Sequence, residues 1–281
     1  MTTSAVRKRP GPRLRREAIA GIVILALLVL LAILAPVFAP HDPEAVNPTR
    51  VLGTPNASNP FGSDVLGRDV LSRVLYGLRV SLLVSILSVL ISALFAVPLG
   101  ALAGYFGGWV DTVISRPLDM LLVFPALLLA VSLIAIIGPG SAVATLAIAV
   151  IYLPILGRVM RGSSLSVSRL GYVEGAGSRG SGHLKTLIGH VIPNSISPVL
   201  VQGSILAGFA LQIEAALSFL GLGTQPPTPS LGGMLADGRD VLVQAPWIEI
   251  FPGATIALAV LSFTLIGDGL RAKLDPSGVT R

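Results

Sequence analysis

Six long, mostly uncharged stretches constrain this chain more than any other feature. They run over residues 19–39, 80–103, 117–137, 141–159, 195–222 and 250–270. A helix rises about 1.5 Å per residue, so about 20 residues cross the ~30 Å hydrocarbon layer of a bilayer. The stretches are continuously apolar rather than alternating, and a helix satisfies its own backbone where no water can. The expected fold class is therefore an all-α membrane protein with six transmembrane helices. The fourth stretch is short and interrupted by Pro154, which leaves a re-entrant segment as its alternative. Charge usage points the same way. Only 12% of the residues are charged, about half the ~25% usual in a soluble domain.

The formal net charge is +6, but its distribution does not suit nucleic acid. Arg7, Lys8, Arg9, Arg13, Arg15 and Arg16 crowd a basic tail over residues 1–18, directly before the first apolar stretch, with no stacking aromatics between them. That is the pattern of a cytoplasmic anchor beside anionic membrane lipid. Val37, Phe38 and Ala39 resemble a signal-peptide cleavage site, yet the stretch before them exceeds the usual h-region and Pro40 follows the cut position. A retained first transmembrane helix over 19–39 is expected.

Lys and Arg also set the orientation. With the N-terminus inside, fifteen of the twenty fall in inside segments and five (Arg50, Arg68, Arg73, Arg79 and Arg239) fall outside. This bias places both termini in the cytoplasm. It defines an outside segment over 40–79, a second over 223–249, an inside loop over 160–194 within the spanning region 80–270, and an inside tail over 271–281. Within 64–79, apolar Val65, Leu66, Val70, Leu71, Val74, Leu75 and Leu78 recur at helical spacing, predicting an amphipathic helix on the outer surface. Gly100, Gly104, Gly203 and Gly208 read as close helix packing.

Catalytic chemistry is not visible. The chain has no cysteine, and His41, His183 and His190 lack the spacing of a zinc site. Residues 177–186 resemble a phosphate-binding loop, but His183 stands where the lysine must be and Lys185 comes two residues late. No metal or ATP site is expected in this chain. Asp119 and Asp268 sit near the inner ends of spans, where water reaches them. Glu214 lies deeper in the fifth span, and its readings are a helix-helix hydrogen bond or a pair with another subunit on one side and a place in a substrate path on the other.

The inside loop carries the most specific pattern. Tyr172, Glu174, Gly175, Ala176 and Gly180 are followed, after nine residues, by His190, Ile192, Pro193 and Asn194. This resembles the Glu-Ala-Ala loop of ATP-binding-cassette importer permeases. The block from Asn59 to Arg73, the run from Leu217 to Ser230, Ala245 to Trp247 and Gly267 to Arg271 resemble C-type permeases of the dipeptide, oligopeptide and nickel importers. The resemblance covers roughly residues 20–277 and implies a type I importer permease architecture. It implies as partners a homologous B-type permease, two cassette ATPases holding ATP and magnesium, and an extracytoplasmic substrate-binding protein. The substrate it implies is a di- or oligopeptide, with nickel or glutathione as alternatives within the family. A secondary transporter or intramembrane enzyme is a weaker fit. By the same resemblance Glu174 to Gly180 form a coupling helix that seats on the ATPase, with Gly180 as its C-terminal cap. Gly175 and Gly177 depart from the usual helix formers there and predict an intrinsically weak helix.

Overall fold

The computed structural model describes residues 16–178 and 180–274, with the backbone alone at Glu174 and 176–178. Twelve α-helices are present among the described residues, with no β-strand. They are α1 (Arg16–Ile33), α2 (Ala35–Phe38), α3 (Val70–Phe106), α4 (Gly108–Leu121), α5 (Ala126–Ile137) and α6 (Ser141–Ser168). Then come α7 (Gly171–Ser178), α8 (His183–Thr186), α9 (Ile192–Ser195), α10 (Ser197–Phe219), α11 (Leu231–Gly238) and α12 (Trp247–Leu274). Five of these, α1, α3, α6, α10 and α12, are long and apolar enough to cross a membrane alone.

The predicted surface helix and second span are one element. Residues 64–69 form a turn closed by a Ser63–Asp69 bridge, and α3 then runs 37 residues without a break. At about 1.5 Å per residue it is roughly 55 Å long, nearly twice the hydrocarbon thickness. The Asp69 carboxylate caps it by accepting from the Ser72 amide at 2.8 Å. Nothing between Arg79 and Val80 breaks a helix, so the apolar periodicity continues into the span. Val70, Val74, Leu75 and Leu78 are buried in protein, rather than laid on lipid.

The fourth stretch is a span as expected, and the irregularity lies in the third instead. The fourth is a continuous 28-residue helix that accommodates Pro154. The third is broken instead: α4 and α5 meet at an 89° bend. Pro125 stands at the break, and a proline disfavours helical backbone in the residue before it. The pair still carries the chain from one end of the bundle to the other. Asp111 of α4 pairs with Arg161 near the end of α6, while the amide of Gly140, just after α5, donates to Leu222 beyond the far end of α10. The chain therefore crosses six times, once through a bent span.

Small residues bring the helices together. A Cβ at Gly100 would stand 2.5 Å from the Gly157 carbonyl oxygen, and one at Gly104 would strike the Arg161 carbonyl, so α3 and α6 touch backbone to backbone there. Gly203 meets only Val89 Cγ1, at 3.5 Å, and tolerates a side chain. Ala18 of α1 lies against Gly269 of α12, and Gly21 against Leu265. The first residues of α1 and the last of α12 thus share one end of the bundle.

Candidate functional site

That same end carries the loop between α6 and α10. After α6 the chain turns at Leu170 and forms α7, which Val173 anchors with 4% exposure while Tyr172 stays 46% exposed. Gly175 lies in the same helix, and the side chains of Glu174 and Ala176 lie outside the described set. Gly180 has φ +79°, a left-handed conformation that a non-glycine residue adopts with strain. It follows the last residue of α7 by two positions, where a helix-terminating glycine belongs.

Beyond Gly180 the chain rises toward α10 through α8, a π-helical turn at Leu187–Val191, and α9. Pro193 is the cause of the irregularity. Its ring cannot sit over the carbonyl four residues back and it has no N–H to donate, and a widened turn relieves both. Asn194 completes the arrangement, its Nδ2 donating to the His190 carbonyl at 2.6 Å. His190, Pro193 and Asn194 are all exposed. They shape the approach to α10.

One pair here escaped the sequence reading. The Tyr105 hydroxyl, in the last turn of α3, lies 3.1 Å from His183 Nδ1 at the start of α8. The edge of the Tyr105 ring also meets the His183 ring, at 5.9 Å between centroids. The loop is thereby pinned to the end of the longest helix, and Leu184 and Ile188 remain exposed beside it. Near the same end Asp111 takes a bidentate pair from Arg161, and the exposed Asp119 and Arg158 pair across α4 and α6.

The opposite end is built around buried charge. Asp64 accepts from the amides of Leu66 and Arg68, each at 2.9 Å, and from Arg68 Nε at 2.6 Å. Arg73 Nε lies 3.4 Å from the same carboxylate. Both guanidinium groups reach Asp237 of α11, at 3.0 and 3.7 Å. Asn59 Nδ2 holds Asp69 at 2.7 Å, Trp247 Nε1 donates to the Ser63 carbonyl at 3.1 Å, and Phe61 stacks on Phe251. The block from Asn59 to Arg73 is thus a clamp that joins segments 40–79 and 223–249. Asp237 had no signal in the sequence, because its partners lie more than 160 residues away.

Glu214 is 1% exposed. Ser218 Oγ donates to its Oε1 at 2.8 Å, and Ser81 of α3 lies alongside. That hydrogen bond stays within α10, and Glu214 Oε2 has no partner among the described residues. No cluster able to hold a metal occurs among the described residues.

The bundle thus carries a short helical loop pinned at one end and a charge-braced face at the other. The chain belongs to the binding-protein-dependent transport system inner membrane components, whose model matches residues 96–277. Residues 13–57 match the N-terminal transmembrane domain of oligopeptide transport permease C. It is 42% identical to the dipeptide transport system permease protein DppC of Alkalihalophilus pseudofirmus, over 92% of this chain and 85% of the relative. It is also 42% identical to the glutathione transport system permease protein GsiD of Pectobacterium atrosepticum, over 92% of this chain and 86% of that relative. Among solved structures, an amino acid ABC transporter with histidines superposes with a TM-score of 0.55 at 17% identity. That match covers 70% of this chain and 92% of the other. The fold and family are those of an ABC importer permease.

Proposed function

We propose that this chain is the C-type permease of a prokaryotic cell-membrane importer that takes up di- or oligopeptides. It pairs with a homologous B-type permease to enclose the path, and two cassette ATPases carry the ATP and magnesium. A substrate-binding protein docks on the outer segments 40–79 and 223–249. Both termini face the cytoplasm, which agrees with the inside bias of Lys and Arg. The observation that carries the reading is α7: a short helix at the end of the bundle, bearing Tyr172, Glu174, Gly175 and Ala176 and closed by Gly180. A helix held between two spans transmits a rigid push, and Glu174 in its first turn suits the positive end of the helix dipole. Peptide substrates are favoured by the names of the relatives, several of which are dipeptide permeases.

Affinity purification of the tagged chain in mild detergent tests the reading. Two cassette ATPases and a second permease are expected to co-purify. Glu174→Ala combined with Gly180→Pro is expected to release the ATPases while the second permease stays bound, since proline cannot adopt φ +79°. A native chain that purifies alone and still transports peptide would sink the importer reading. Competition of uptake among dipeptides, glutathione and nickel separates the substrates.

A further inference from the structure

The side chains that the spans turn outward are apolar almost throughout, as with Val23 and Leu27 of α1, Leu90 and Leu94 of α3, and Leu258 and Leu261 of α12. Exposed hydroxyls on the spans fold back onto their own helix. Ser132 donates to the Leu128 carbonyl at 2.8 Å, Ser204 to Leu200 at 2.9 Å, and Thr264 to Val260 at 3.0 Å. That bond is how a hydroxyl tolerates lipid.

Helix α10 departs from this rule at two positions. Gln212 is exposed and Gln202 is half-buried, and neither amide bonds to a described residue. Each carries two N–H donors and a carbonyl, more than a single carbonyl one turn back can satisfy. Gln212 lies seven residues before Phe219, the last of α10, roughly 10 Å inside the helix end. Gln202 lies about 8 Å inside the other end by the same rise. Gln212, well inside an apolar span, would find no hydrogen bond in lipid, and Gln202 lies nearer the end that carries Asn194 and Arg271. Together with Phe209 they occupy the broad face opposite Leu211, Glu214 and Ser218, the buried side against α3. Gln202 also opens into a cleft of about 580 Å³ whose other hydrogen-bonding groups include the uncharged Ser163, Asn194 and Ser197, with Arg271 among the lining residues.

We infer that this face of α10 borders the hydrated path, and that Gln212 and Gln202 exchange hydrogen bonds with main-chain amides of a peptide in transit. A neutral amide matches a peptide group in both donor and acceptor, and it does not hold the charged ends of a short peptide as an ion pair would. The inference rests on the importer reading and assigns residues to it.

The chain has no cysteine of its own, which makes thiol labelling direct. Gln212→Cys and, as a lipid-facing control, Leu258→Cys are each assembled with the full complex in proteoliposomes and treated with a charged methanethiosulfonate. A thiol in water ionises and reacts, whereas one in an apolar setting stays protonated. Gln212→Cys is expected to react ~10-fold or more faster than Leu258→Cys, and saturating dialanine is expected to slow it. Gln212→Asn should keep most ATP-driven dialanine uptake and Gln212→Leu should lose it, with the complex intact on the column. Reaction as slow as at Leu258→Cys, or fast reaction with no protection by dialanine, would overturn the assignment. If native uptake persists in that case, only the path assignment fails. If the native complex shows no ATP-driven peptide uptake, the importer reading itself fails and takes this inference with it.

Discussion

The charges that matter most for stability are those the membrane does not touch. Asp64 has 3% side-chain exposure and neutralises two guanidinium groups that are themselves 5–8% exposed. Removing it leaves two buried cations with only Asp237 between them, and losing one partner of a buried pair costs about 3–5 kcal/mol. Asp240, by contrast, meets Arg239 in the open, at 79% and 64% side-chain exposure, where an ion pair is worth about 0–1 kcal/mol. Asp64→Ala is therefore expected to lower the thermal midpoint of the detergent-purified protein clearly, and Asp240→Ala hardly at all. Equal shifts would show that the clamp contributes no more than a surface pair. A sequence displays both aspartates alike. It marks the Asn59 to Arg73 block as distinctive, yet says nothing of Asp237, because a partner more than 160 residues away leaves no local spacing to read.

At the scale of elements, each apolar stretch in the sequence coincides with a long helix or with the bent pair α4 and α5, and proline chemistry decided their shapes. Pro98, Pro154 and Pro252 all sit inside continuous helices, whereas Pro125 stands at the 89° break between α4 and α5. Average hydropathy does not distinguish these cases, which is why the third stretch reads as straight and the fourth as doubtful. The length of α3 was hidden for a related reason. A helix lying on a surface and one continuing out of a span have the same periodicity, and only the partner of the buried face differs. The glycines of α7, however, are legible and consequential. Gly175 and Gly177 each cost about 0.8–1.0 kcal/mol relative to alanine in a helix interior. The free permease should therefore open α7 readily, and a docked ATPase should hold it closed. Amide exchange over 171–178 is expected to slow when the ATPases bind. The double substitution Gly175→Ala with Gly177→Ala, worth roughly 2 kcal/mol of helix stability, should slow it by about tenfold or more without them. Equal protection in native and substituted chains, with and without ATPase, would mean that the glycines have no such role.

For the molecule as a whole, the contacts fix which segments share an end, and which end is inside is left to the distribution of charge. Ala18 lies against Gly269, the last turn of α3 holds His183 through Tyr105, and the 580 Å³ cleft joins Asn194 to Arg271. The start of α1, the loop 160–194 and the end of α12 therefore go to one side together, as six crossings require. At the far side lie the Asp64–Asp237 clamp and the Trp247–Ser63 bond. Only two orientations of this arrangement exist, and the Lys and Arg bias favours the one with the coupling loop in the cytoplasm. Two exposed positions distinguish them, Ala57 on the clamp side and Ser166 near the end of α6. In intact cells a membrane-impermeant maleimide is expected to label Ala57→Cys, and to reach Ser166→Cys only after permeabilisation. The reverse pattern would place α7 outside, where no ATPase could meet it. The energy source would then have to lie elsewhere, and Glu214, the one carboxylate buried within a span among the described residues, would be the first residue to examine.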